Sequence, residues 1–97
     1  MIRIHRRRPY VRIGERAVKL TPAEHELITA LGMMDNKLTP HQLLLDIMCA
    51  DQARQIPADK QTMQQKLARL RKKIGRDRLQ CQRHQGYILL GDVQFYG

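Results

Sequence analysis

Between Pro57 and Gly75 the chain reads PADKQTMQQKLARLRKKIG, and its apolar residues recur at helical spacing. At 100° per residue Met63, Leu67, Leu70 and Ile74 share one narrow stripe, which predicts a helix buried along that side. Gln61, Gln65, Ala68, Arg69 and Lys72 take the opposite side, with Lys66, Lys73, Gln64 and Arg71 on the flanks. Asp59 is placed as N-cap, Thr62 lies in the first turn, and Gly75 is set to stop the helix in the left-handed conformation.

The same reading orders the rest of the chain. Ile2 and Ile4 alternate with Arg3 and His5, and Tyr10 to Ile13 and Ala17 to Leu20 flank a turn at Gly14-Glu15-Arg16, so residues 2–20 read as short strands. Thr21-Pro22-Ala23-Glu24 carries a reciprocal capping box and opens a helix that buries Leu27, Ile28, Leu31 and Met34 and ends between Gly32 and Asn36. His25 reads as a surface residue of that helix. Thr39-Pro40-His41-Gln42 repeats the capping pattern and opens a second helix over 40–50, burying Leu44, Ile47 and Met48, with Leu43 or Leu45 by adjustment. A polar connection, 50–59, leads to the third helix. Beyond Gly75, residues 78–90 form a hairpin: Leu79 and Cys81 alternate with Gln80 and Gln82, the turn falls at His84-Gln85-Gly86, and Tyr87 and Leu89 return. The tail, 93–97, either extends the returning strand or packs on the sheet. The expected organisation is one domain over 1–97: strands over 1–20, a three-helix core over 21–75, and a hairpin and tail over 76–97.

Charge separates this pattern into two surfaces. Lys and Arg number 18 against 9 Asp and Glu, a net charge of +9. Residues 1–20 hold seven cations and one acid, and residues 60–97 hold nine cations and two acids. Residues 21–59 hold two cations and six acids. Two basic ends around an acidic middle suggest one polyanion-binding face and one free face. The wet side of the third helix carries Gln, Arg and Lys and no acid. Its guanidinium and carboxamide groups suit base edges, and its lysines suit phosphates. The plain alternative is a solvated basic face. Arg6-Arg7-Arg8 has three readings: a disordered arm, a phosphate clamp, or a charged strand edge.

Other chemistry finds little support. His5, His25, His41 and His84 with Cys49 and Cys81 show no metal-ligand spacing, and no glycine loop cradles a phosphate. Glu24 and Glu26 serve a cap and a helix surface, so no enzyme and no cofactor are expected. No signal sequence or apolar span of ~20 residues is present, so the chain reads as cytoplasmic, with both thiols reduced and packed as small apolar residues.

With strands, a T-P-x-E helix, a second helix, a basic helix and a G-Y hairpin in that order, the chain resembles the winged-helix DNA-binding domain of OmpR/PhoB-type response regulators. The residues that carry the resemblance are Leu20-Thr21-Pro22-Ala23-Glu24-His25-Glu26-Leu27, then Leu70-Arg71-Lys72-Lys73-Ile74-Gly75, then Arg83 with Gly86-Tyr87. It spans about residues 10–90 and implies an α+β winged helix-turn-helix: an N-terminal antiparallel sheet, three helices and a C-terminal β-hairpin wing. It further implies a double-stranded DNA partner for a bacterial or phage transcription regulator. The third helix would lie in the major groove, with Gln64, Gln65, Ala68 and Arg69 at base edges. Thr62, Lys66, Arg71, Lys72 and Lys73 would meet phosphates, and Arg83 would enter the minor groove.

Four departures qualify the resemblance. The chain opens at the sheet, so control by a phosphorylated receiver is not expected. The connection after the second helix is longer than the family's, with Met48-Cys49 where an aromatic stands. Gln64 and Lys66 replace an acidic residue and a histidine, so base preference does not carry over. His84 replaces the glycine after the wing arginine. An alternative keeps the fold but makes it a protein-interaction module that binds RNA polymerase or another regulator. A dimer on tandem DNA repeats and a structured-RNA partner are further expectations, the latter weakened by having only Tyr10, Tyr87, Phe95 and Tyr96 to stack on bases.

Overall fold

The alternation at the N-terminus resolves into strands, and the three helical periodicities into helices. The computed structural model describes residues 1–49, 60–82 and 85–97. Strands β1 (Ile2–His5), β2 (Tyr10–Ile13) and β3 (Arg16–Lys19) precede helix α1 (Pro22–Met33). Strand β4 (Thr39–Pro40), helices α2 (His41–Cys49) and α3 (Lys60–Ile74), and strands β5 (Leu79–Gln82), β6 (Gly86–Leu89) and β7 (Val93–Tyr96) follow. The architecture is α+β, with three helices between two small sheets.

The first sheet has the order β3-β2-β1-β7. β1, β2 and β3 form an antiparallel meander closed by a turn at Gly14, where φ is +62°. The tail does not continue β6. It pairs in parallel with β1, Ile2 against Val93 and Ile4 against Phe95. Gly91, at φ +100°, turns the chain after β6, and both Gly91 polar backbone groups bond the side chain of Asn36 at 2.8 and 3.0 Å. The wing hairpin forms as its alternation predicts, with Leu79 opposite Leu89 and Cys81 opposite Tyr87. It gains a third strand, β4, that sequence pattern does not announce.

That third strand corrects the second cap. Thr39 is fully buried in β4 opposite Tyr87, and its hydroxyl has no partner among the described residues. Gln42 bonds Asp46 at 2.9 Å instead of reaching back. α2 buries Leu44, Leu45 packs beside it, Leu43 is exposed and Ile47 is only half-buried. The Met48 side chain and the connection 50–59 lie outside the described residues.

The Thr21 box forms as expected: Thr21 Oγ1 accepts from the Glu24 amide, and Glu24 Oε1 accepts from the Thr21 amide at 2.8 Å. Leu27, Ile28 and Leu31 are fully buried, whereas Met34 caps the helix half-exposed. His25 is not a surface residue; it is half-buried, and its Nε2 donates to the His5 carbonyl at 2.6 Å. Nor is Arg6-Arg7-Arg8 an arm or a strand edge. It is a turn between two interior strands, in which His5 Nδ1 accepts from the amides of Arg7 and Arg8 at 3.1 and 3.0 Å.

Candidate nucleic-acid interface

Helix α3 owes its orientation to its stripe. Met63, Leu67, Leu70 and Ile74 all face the core that Ile2, Ile4, Leu27, Leu31, Leu44 and Leu89 complete. Burying four such side chains is worth about 1.5–3 kcal/mol each, enough to fix the rotation of a helix whose other residues, Ala68 apart, are polar. Gly75, at φ +108°, ends it and donates its amide to the Arg71 carbonyl at 2.9 Å. Arg71, Lys72 and Lys73 in the last turn complement the negative end of the helix dipole.

The opposite side is bare. Gln61, Gln64, Gln65, Ala68, Arg69 and Lys72 are all exposed, and Thr62, Lys66 and Arg71 lie half-buried on its borders. Thus Gln64, Gln65, Ala68 and Arg69, the residues read as base-facing, share one open surface. Lys73 does not join them. Its Nζ turns back to Glu24 Oε1 at 2.7 Å, and Glu24 is only 2% exposed. Burial pushes the Glu24 carboxyl up, but the Lys73 and Thr21 hydrogen bonds and the Lys73 charge outweigh it, so its pKa lies below the usual value. The expectation of a phosphate contact from Lys73 therefore meets a side chain already paired within the fold.

Between α3 and the wing lies a concavity of about 350 Å³. The helix lines it with Gln64, Ala68, Arg71 and Lys72, Arg76 adds a cation beyond the helix end, and β5 and β6 contribute Cys81 and Tyr87. Arg71 Nε is buried there without a hydrogen-bond partner among the described residues. Tyr87, pushed up to about 12 by burial and the neighbouring Cys81, keeps its phenol neutral against this basic wall. Arg76, Cys81 and Tyr87 were missed as site residues. Arg76, a cation directly after the terminating glycine, and Tyr87, half of the Gly86-Tyr87 pair in the hairpin, left local signals, and Cys81 left none. Cys81 is exposed rather than packed. Arg83 and His84 lie outside the described residues, as does Asp59.

Among the described residues no cluster of three or more His, Cys, Asp or Glu could hold a metal ion, and no helix is long and apolar enough to cross a membrane. Comparison with known proteins gives one family match, "Transcriptional regulatory protein, C terminal", over residues 14–89. No curated protein sequence matches. Among solved structures the chain is similar to the C-terminal domain of the nisin resistance regulator NsrR, a lantibiotic response regulator. The two share 27% identity at a TM-score of 0.70, over 86% of this chain and 85% of that one.

Proposed function

The chain belongs to the family of transcriptional regulatory protein C-terminal domains, a family of DNA-binding regulators and not of enzymes, and from that premise we propose that it binds specific sequences in double-stranded DNA through α3. One observation carries the reading: the side of α3 opposite its buried stripe is exposed and holds Gln64, Gln65, Ala68 and Arg69 together. An α-helix fits the major groove, where Arg reads guanine and Gln reads adenine by paired hydrogen bonds, and Ala offers apolar contact to a thymine methyl. Lys66, Arg71 and Lys72, with Thr62 at the helix start, flank that surface where the phosphate chains would run. The basic concavity between α3 and the wing supports a phosphate position beside Arg71 and Arg76. Arg83 in the wing is proposed for the minor groove from its place in the sequence.

Selection of bound sequences from a random duplex pool at near-physiological salt tests this directly. A defined consensus is expected, and the spacing of any repeat within it counts the copies bound. Arg69→Ala should cost about 1–2 kcal/mol against the preferred sequence and broaden the consensus at one position. Lys66→Ala should weaken all duplexes alike and lower the salt slope by about 1. Equal weakening by both variants on every duplex would remove base reading from the account. A pool that yields no consensus, with the chain instead retaining RNA polymerase or another regulator, would favour the protein-interaction alternative.

A further inference from the structure

The two edges of the first sheet are built differently. The outer edge of β3 carries Arg16 and Lys19, both exposed, the ordinary protection of an open strand against pairing. β7, at the other edge, reads Val-Gln-Phe-Tyr and carries no charge and no proline. In a strand, successive residues point their backbone groups to alternate sides. The Ile2 amide donates to Asp92 O and the Arg6 amide to Tyr96 O, so the even-numbered residues of β7 face β1. The amides and carbonyls of Val93 and Phe95 are left facing outward, where no described strand pairs with them.

Beside that edge, α1 offers a floor that is apolar at Ala30 and Met33 and polar at His25, Glu26 and Thr29; the one carboxylate, Glu26, stands against two arginines, Arg6 and Arg7, so the lining stays cationic. A concavity of about 300 Å³ between Phe95, Thr29 and Met33 adjoins a second of about 460 Å³ that reaches Ile47 and Arg7, and Arg6 lines both. Met33 is 72% exposed, the most exposed of the large apolar side chains described. The backbone that carries the arginines is held in place: the His5 ring accepts from the amides of Arg7 and Arg8, and the Tyr96 carbonyl accepts from the Arg6 amide. No described residue of α3 or of the wing strands lines either concavity. β1, β7 and this turn also fall outside residues 14–89, the part matched to the family.

We propose that β7 accepts an extended segment of a partner protein as a fifth strand, with alternate apolar side chains covering Met33 and Phe95 and acidic residues meeting Arg6 and Arg7. Backbone pairing supplies affinity in such strand addition, and the pockets for alternate side chains supply selectivity. A second copy of this chain is the weaker occupant, because each copy carries +9. The face is separate from α3, so the segment and a duplex can be held together.

The test uses a fluorescein-labelled peptide of six alternating valines and threonines with two glutamates at either end. Fluorescence anisotropy should show saturable binding, and hydrogen exchange should slow at the Val93 and Phe95 amides while Gln94 is unchanged. Lysines in place of the glutamates, or N-methyl groups on alternate peptide amides, should each weaken binding at least tenfold. So should Arg6→Glu combined with Arg7→Glu, and Met33→Glu alone; all three positions are exposed, and unchanged thermal melting checks the fold. Duplex affinity should survive Met33→Glu. Equal binding of the lysine peptide, slowed exchange without the alternation, or self-association of the chain through this edge would each overturn the proposal. A loss of duplex affinity in the arginine variant with peptide binding intact would overturn it as well, by assigning the arginines to DNA.

Discussion

Gly86→Ala is expected to destabilise the fold by about 3 kcal/mol or more, toward the upper end of what overpacking a tight site costs. The added methyl would press into the Thr39 carbonyl oxygen and stand 2.8 Å from its carbon and 3.0 Å from Pro40 Cα. All three are backbone atoms, so no side-chain rotation relieves the clash, and β4 must separate from β6. The requirement is one of space, since Gly86 does not need a left-handed backbone. Separation would also break the bond from the His41 amide to the Gln85 carbonyl, which holds the start of α2 against the wing. Urea unfolding followed by circular dichroism reads the effect as a lower midpoint. A variant within 0.5 kcal/mol of the parent would mean that β4 does not lie this close to β6. Loss of the wing's anchor should also lower duplex affinity beyond what the unfolded fraction explains.

The contrast between Thr21 and Thr39 shows how far local pattern reaches. Both precede Pro, and both have a Glu or Gln three positions on, so both satisfy the capping-box signature. At Thr21 nothing competes, and the box forms. At Thr39 the backbone pairs with Tyr87, a distant segment, and the pairing buries the side chain before it can cap. The stripe on α3 was legible for the opposite reason: four apolar residues at helical spacing admit only one rotation against a core. Its wet face could therefore be named residue by residue. The parallel pairing of β7 with β1 left no mark, because a four-residue strand states its own faces and not its partner. The same holds for Lys73. Periodicity puts it on a flank of α3 but is silent about Glu24, 49 positions earlier.

Lys73→Met should lower stability by about 2–3 kcal/mol at pH 7, somewhat below the usual cost of orphaning a buried charge because Lys73 itself is 36% exposed. The remaining carboxylate would keep only the Thr21 cap, and its second oxygen, Oε2, already lacks a partner among the described residues. In the parent the Glu24 pKa is lowered by folding, so its contribution is present above about pH 4.5, the unfolded value, and is lost as pH falls through the folded one. In the variant, burial acts without the lysine, and the pKa should shift upward instead. Protonation then relieves the variant while it costs the parent, so the stability gap should narrow as pH drops from 7 toward 4. A gap that stays constant with pH would mean the lysine contributes packing and not charge. Duplex binding separates the two roles of the last helical turn. Lys73→Met should leave the salt slope where it was, because that charge is committed to Glu24, whereas Lys66→Ala should reduce it by about 1. Equal reductions would place Lys73 on phosphate and make the Glu24 pair dispensable in the complex.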